Sequence, residues 1–239
     1  MTTTQILSGA LVEPQRALPA AVERRSALVP ILVATVAGLA LAAIVATHAD
    51  FEGAVLQRLS SDPKVDQISP HDLSEKVEQG RKLAIATGYA VAAGGPVAAA
   101  ALAALGLALT FRLAGARPSL RASFSAASWA LLPGALRALL TIPALIRLAP
   151  VRPDEVPRLL PSSLAALLPA GAAVGSPLAL AAAALDLFSL WAVVLAGLGL
   201  AEAAQVPRRR AIALTLILFV ASAAVLRVAL PTLLAGAPR

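Results

Sequence analysis

Residues 185–202 read LDLFSLWAVVLAGLGLAE. An aspartate, Asp186, heads an apolar run that closes on Glu202. Runs of this kind decide the fold. About 20 apolar residues in helical form match the roughly 30 Å hydrocarbon layer of a bilayer at 1.5 Å per residue. A soluble domain has no need of them. The whole composition agrees: 59% of the 239 residues are hydrophobic and 14% are charged. Ordinary globular domains carry roughly 45–50% and about 25%. The chain therefore reads as an all-α polytopic membrane helical bundle.

The net charge of +7 raises the question of a nucleic-acid partner. The basic residues, however, lie in short clusters between apolar runs, with no aromatic-interleaved face for stacking bases. Membrane topology explains them better, and no nucleic acid is expected. Cysteine is absent, so there is no disulfide framework, no thiolate nucleophile and no Cys-based metal site. His48 and His71 are the only histidines, and the acids near them are scattered, so no metal is expected. Ser162-Ser163 lack a GxSxG elbow. No P-loop or GxGxxG fingerprint occurs. Neither catalytic residues nor a cofactor are expected.

Five spans are predicted, at about 28–47, 83–112, 124–148, 178–204 and 211–234. They form a membrane domain over 28–236, preceded by a flexible cytoplasmic tail at 1–27 that contains Pro14 and Pro19. The first run is not read as a secretory signal, since no small-x-small cleavage site follows it. The polar insert 50–82 is extracytoplasmic. Within it Phe51, Val55, Leu56 and Leu59 fall on one stripe of a short amphipathic helix, lying on the membrane surface or over the bundle mouth. A second helix starts with Ser69 as N-cap, Pro70 in its first turn and Asp72 as a capping acid. Gly94-Gly95-Pro96 predicts a bend or break in the second span, and Pro133 and Pro143 interrupt the third. Leu159–Leu168 is too short to cross and reads as an interfacial or re-entrant turn.

Basic residues in short loops set orientation. Arg112, Arg117 and Arg121 occupy one short loop and Arg208, Arg209 and Arg210 another, while the 50–82 insert also carries seven acids. The triplets read as cytoplasmic basic anchors. This orientation puts the N-terminus in the cytoplasm and the C-terminus outside.

Three ionisable residues fall inside spans, and depth follows from 1.5 Å per residue. Arg137 comes out roughly 22 Å from the cytoplasmic side, Arg227 roughly 24 Å and Asp186 roughly 27 Å. Matched depth predicts an intramembrane ion cluster, in which arginine–carboxylate bonds offset much of the desolvation cost. Such a cluster is either a relay on a transport pathway or a clamp that fixes the helices. One carboxylate with two arginines favours the clamp, because a proton carrier needs a raised pKa. Glu202, beside the arginine triplet, reads as a surface or snorkelling ion pair. Gly38 with Ala42, and Gly197 with Ala201, are small-xxx-small pairs. They permit close helix approach within the chain, to a second copy or to another protein.

The stretch Asp186-Leu187-Phe188-Ser-Leu-Trp191, followed by Leu195 and Gly199, resembles the signature of the Yip family, the Ypt/Rab-interacting membrane proteins, and in particular its bacterial branch. Gly115-Ala-Arg-Pro-Ser119-Leu-Arg121 and Leu132-Pro133-Gly134 are similar too, as is the polar insert ahead of a Gly-Gly-Pro second span. The resemblance implies a five-span helical domain with a cytoplasmic N-terminus and no catalysis. Eukaryotic relatives bind Rab GTPases, but their Asp-Leu-Tyr-Gly-Pro motif is missing here. Some bacterial relatives resemble accessory subunits of MacAB-type ABC exporters with periplasmic adaptors. The expectation is a non-catalytic protein of a bacterial inner membrane that organises other membrane proteins, such as an ABC exporter and its adaptor. The competing expectation is a stand-alone transporter or lipid-handling protein working through Arg137, Asp186 and Arg227.

Overall fold

In a hydrocarbon layer a helix bonds every backbone N–H and C=O within its own segment, and the apolar runs of this chain fold accordingly. A computed structural model describes residues 3–24, 26–60, 70–148, 150–167, 181–183 and 185–225. Among these residues there are helices and two isolated bridges but no strand. The helices are α1 (Thr3–Val12), α2 (Pro14–Glu23), α3 (Leu28–His48), α4 (Phe51–Ser60), α5 (Pro70–Leu113), α6 (Leu120–Trp129), α7 (Leu132–Leu148), α8 (Leu187–Ala203) and α9 (Arg208–Ala223). Leu28–His48, His71–Leu113 and the stretch Leu120–Leu148 are long and apolar enough to cross a membrane, and Leu187–Ala203 is a shorter apolar helix.

The chain divides into two compact units. The first takes in Met1–Ala34, Pro96–Gly134 and Pro161–Arg239, the second Thr35–Gly95 and Ala135–Leu160. In the first unit the core gathers Leu107 and Phe111 of α5, Ala126 of α6, Leu200 of α8 and Ala211 of α9. A neighbouring cluster joins Leu18 of α2 to Trp129, Leu195 and Leu198.

Where a tail is expected, the described residues before α3 form the helices α1 and α2. Ala17, Leu18, Ala21 and Val22 recur with helical spacing and are buried. Pro14 occupies the first turn of α2, where its missing N–H is no loss. The connection onward to α3 is fixed by Ser26, whose carbonyl accepts from Trp129 Nε1 at 2.7 Å and Ser125 Oγ at 3.0 Å.

The second unit has its own small core of Leu145, Val151 and Val156, packed by Ile44, Val45 and Leu159. Asp50 caps α4, accepting from Gly53 N at 2.8 Å. Asp50 N also donates to Val151 O at 3.0 Å. Phe51, on the stripe expected for α4, is buried, and Val55 meets α5 where Gly80 leaves room for it. A Cβ at Gly80 would stand 3.1 Å from Val55. On the polar first turns of α5, Arg81 donates to Glu78 at 2.8 and 3.0 Å. With help from Lys82, this holds the Glu78 carboxyl down at a pKa of about 2.

Three expectations need correction. The break allowed for at Gly94, Gly95 and Pro96 does not occur, since α5 is one helix from Pro70 to Leu113. One lost backbone bond at Pro96 does not end a helix whose every other N–H would go unpaired in lipid. The 124–148 run is two helices with a turn at Ala130 and Leu131, which leaves Pro133 in the first turn of α7 and Pro143 inside it. The 178–204 run is not one helix either: the backbone is extended at Asp186, with φ −117° and ψ 155°, and α8 begins at Leu187. Within the expected Leu159–Leu168 turn, the described residues form one short 3-10 helix at Leu164–Leu167, and another precedes it at Val156–Arg158. The expected Ser69 cap, Arg227 and the end of the fifth run lie outside the described residues.

Candidate functional site

Asp186 was the residue that appeared most costly, and its carboxylate is 1% exposed. It is the N-cap of α8. Its Oδ1 accepts from Phe188 N and Ser189 N, both at 3.0 Å, and Ser189 Oγ donates to Oδ2. The first backbone donors of a helix have no intrahelical partner, and a negative charge there also meets the positive end of the helix dipole. The residue is pinned from outside as well. Leu187 N donates to Ser162 O at 2.9 Å and Leu164 N to Leu185 O at 3.1 Å. These bonds pair Ser163 with Asp186 in a short antiparallel bridge.

The other motif residues have packing roles. Leu195 is fully buried, and Trp191 packs against the cluster that contains it. Phe188 is half-buried and Leu187 is exposed. Gly199 faces α2 and α6: a Cβ there would stand 3.2 Å from Val22 and 3.3 Å from Ala126. Gly197 sits against α9, where a Cβ would come within 2.7 Å of the Ile212 backbone. A Cβ at Gly38 would stand 3.6 Å from Ala92 of α5. Gly38 and Gly197 thus each face another helix of the same chain.

The basic anchors are exposed at Arg112, Arg117, Arg121, Arg208, Arg209 and Arg210. Two of them tie helix ends together. Arg210 Nη2 donates to Ala114 O at 2.7 Å, just past the C-terminus of α5, where a cation complements unpaired carbonyls. Arg208 lies 3.9 Å from Glu202 and reaches Gln15 at the start of α2. Glu202 is thus the surface partner of an arginine. Of the remaining expected cluster, Arg137 belongs to the second unit, where its Nη2 donates to Pro157 O at 2.9 Å.

One polar device went unread in the sequence. Arg152 pairs with Glu155 at 2.7 Å, stands 3.9 Å from Asp154 and donates to Gln57 of α4. The hydrogen bond that Arg152 donates to the Glu155 carboxylate raises the Arg152 pKa further. The i,i+3 spacing of Arg152 and Glu155 was its available signal. Among the described residues no group of three His, Cys, Asp or Glu could hold a metal.

A groove of about 410 Å³ lies in the first unit, lined by α5, α6, α8 and α9. Its walls are almost entirely apolar, with Leu102, Leu107, Val193, Leu218 and Phe219 the larger contributors.

The pattern of one protein family, described as the Yip1 domain, matches residues 8–230. No curated protein and no solved structure matches the chain.

Proposed function

We propose, from the premise that the chain belongs to the Yip1 domain family, that it is a non-catalytic multi-pass protein that binds and organises other membrane proteins. In this reading it has five spans, sits in a bacterial inner membrane with its N-terminus in the cytoplasm, and serves as an accessory subunit of an ABC-type export complex.

One observation carries the reading: the 150–160 segment, α4 and the start of α5 are fastened together. Arg152 ties the 150–160 segment to Gln57 of α4, Asp50 N bonds Val151 O at 3.0 Å, and Val55 is seated on Gly80. Extramembrane pieces held this firmly suit a preorganised docking surface, because ordering them on binding would otherwise cost affinity. At the opposite kind of surface, the exposed arginines of the 112–121 and 208–210 clusters suit anionic headgroups. In this reading the expected cluster of Asp186 with Arg137, Arg227 or both serves as a clamp, and the stability effects of Asp186→Asn and Arg227→Leu are then expected to be non-additive.

Purification of the full-length chain from native membranes in mild detergent tests the proposal. Recovery with subunits of an exporter is expected. Recovery alone, together with Asp186-dependent flux through liposomes, would replace it with the stand-alone transporter.

A further inference from the structure

We propose that the groove of the first unit holds one acyl chain of an anionic phospholipid, whose headgroup lies against the arginines at the ends of the same helices. This does not rest on the exporter reading. The space exists because small residues wall it: Ala99, Ala103 and Gly106 on α5, with Ala127, Ala192 and Ala196 on α6 and α8. Its three hydroxyls are occupied. Ser189 donates to Asp186, Thr215 to Ala211 O at 3.0 Å and Ser222 to Phe219 O at 2.9 Å. Walls this apolar, with each hydroxyl proton already donated, suit an apolar occupant better than water.

At about 410 Å³ the groove lies near the small end of ligand pockets. That is too little for a helix, which is about 10–12 Å across with its side chains. Leu102 and Leu109 of α5 and Ile217 and Val220 of α9 are exposed on these helices, so the occupant arrives from the hydrocarbon.

Charge specifies the rest of the molecule. Arg112 follows Leu107 on α5, Arg121 precedes Ala127 on α6 and Arg209 precedes Thr215 on α9. Each lies roughly 8–9 Å beyond the groove by helical rise. The bond from Arg210 to Ala114 O at 2.7 Å places the α9 start beside the α5 end, and the segment 114–119 joins that end to α6. All three arginines are exposed. Of the acids near this end, Glu202 faces Arg208 at 3.9 Å and Glu13 faces Arg16 at 3.4 Å. An excess of positive charge at one end of an apolar groove matches a lipid with a net negative headgroup better than a zwitterionic one.

The full-length protein in nanodiscs of equal phosphatidylglycerol and phosphatidylcholine, read by native mass spectrometry, tests this. One retained lipid per chain is expected, with phosphatidylglycerol preferred about tenfold or more. Ala103→Trp, at an exposed wall position, should remove the retained lipid, and Ala99→Trp serves if the first variant unfolds. Replacing Arg112, Arg121 and Arg209 by Gln should keep a lipid but bring the headgroup ratio to near unity. Free glycerophosphate should displace nothing. No retained lipid, equal retention by the wild type, indifference to both tryptophans, or a second chain in place of the lipid would each overturn the proposal.

Discussion

Asp186 shows how one side chain resolves a conflict between composition and energy. An ionised carboxylate stripped of water costs several kcal/mol, yet this one is buried to 1% exposure. Two backbone N–H groups at 3.0 Å and the Ser189 hydroxyl meet it, and hydrogen bonds to a charged acceptor are among the stronger ones. The cap was legible in principle, since aspartate is among the favoured N-cap residues. The apolar residues on both sides hid it by extending the run past the true helix start. The two roles of the residue separate by substitution. Asparagine keeps a capping oxygen and alanine does not, and loss of a cap costs typically about 1 kcal/mol. Asp186→Ala should therefore be less stable than Asp186→Asn by about 1 kcal/mol in reversible unfolding in detergent. Equal losses would assign the whole effect to the charge.

Among the elements, α2 was the least legible and α4 the most. The start of α4 follows from Asp50 and its stripe from Phe51 and Val55, all within a few residues of one another. The burial of α2 depends instead on Gly199, far away in sequence, which leaves room for Val22 at a virtual Cβ distance of 3.2 Å. No local pattern reports such a pairing, and Pro14 and Pro19 argue locally for a loop. Likewise, the helical continuity of α5 through Pro96 is decided by the surrounding medium and not by the proline. If Gly199 is the seat of α2, a larger side chain there should lift the helix. Overpacking of this kind costs about 1–3 kcal/mol. Gly199→Leu should therefore accelerate tryptic cleavage at Arg16 and Arg24 several-fold, with the rest of the chain resistant. An unchanged cleavage rate would mean that α2 is held by other contacts.

For the whole molecule, composition alone identified the membrane class, because burial in lipid is a bulk property to which every apolar run contributes. Orientation is a finer matter, resting on where a few arginines lie. Basic residues fall evenly on the two sides, so orientation rests on the triplets Arg112, Arg117, Arg121 and Arg208, Arg209, Arg210, set against the acids of the 50–82 insert. The chain has no cysteine, which makes each introduced thiol an unambiguous reporter. Glu52, Lys76, Arg117 and Arg209 are all exposed, so a cysteine at any of them disturbs little. With five spans and a cytoplasmic N-terminus, Glu52→Cys and Lys76→Cys react with a membrane-impermeant maleimide on intact cells. Arg117→Cys and Arg209→Cys react only after permeabilisation. The reverse pattern would invert the protein, while labelling of Arg117→Cys and Arg209→Cys from opposite sides would remove the even number of crossings between them. The reverse pattern would also move the arginine end of the groove to the other leaflet, changing which lipid pool supplies its occupant, and opposite-side labelling would break up that end altogether.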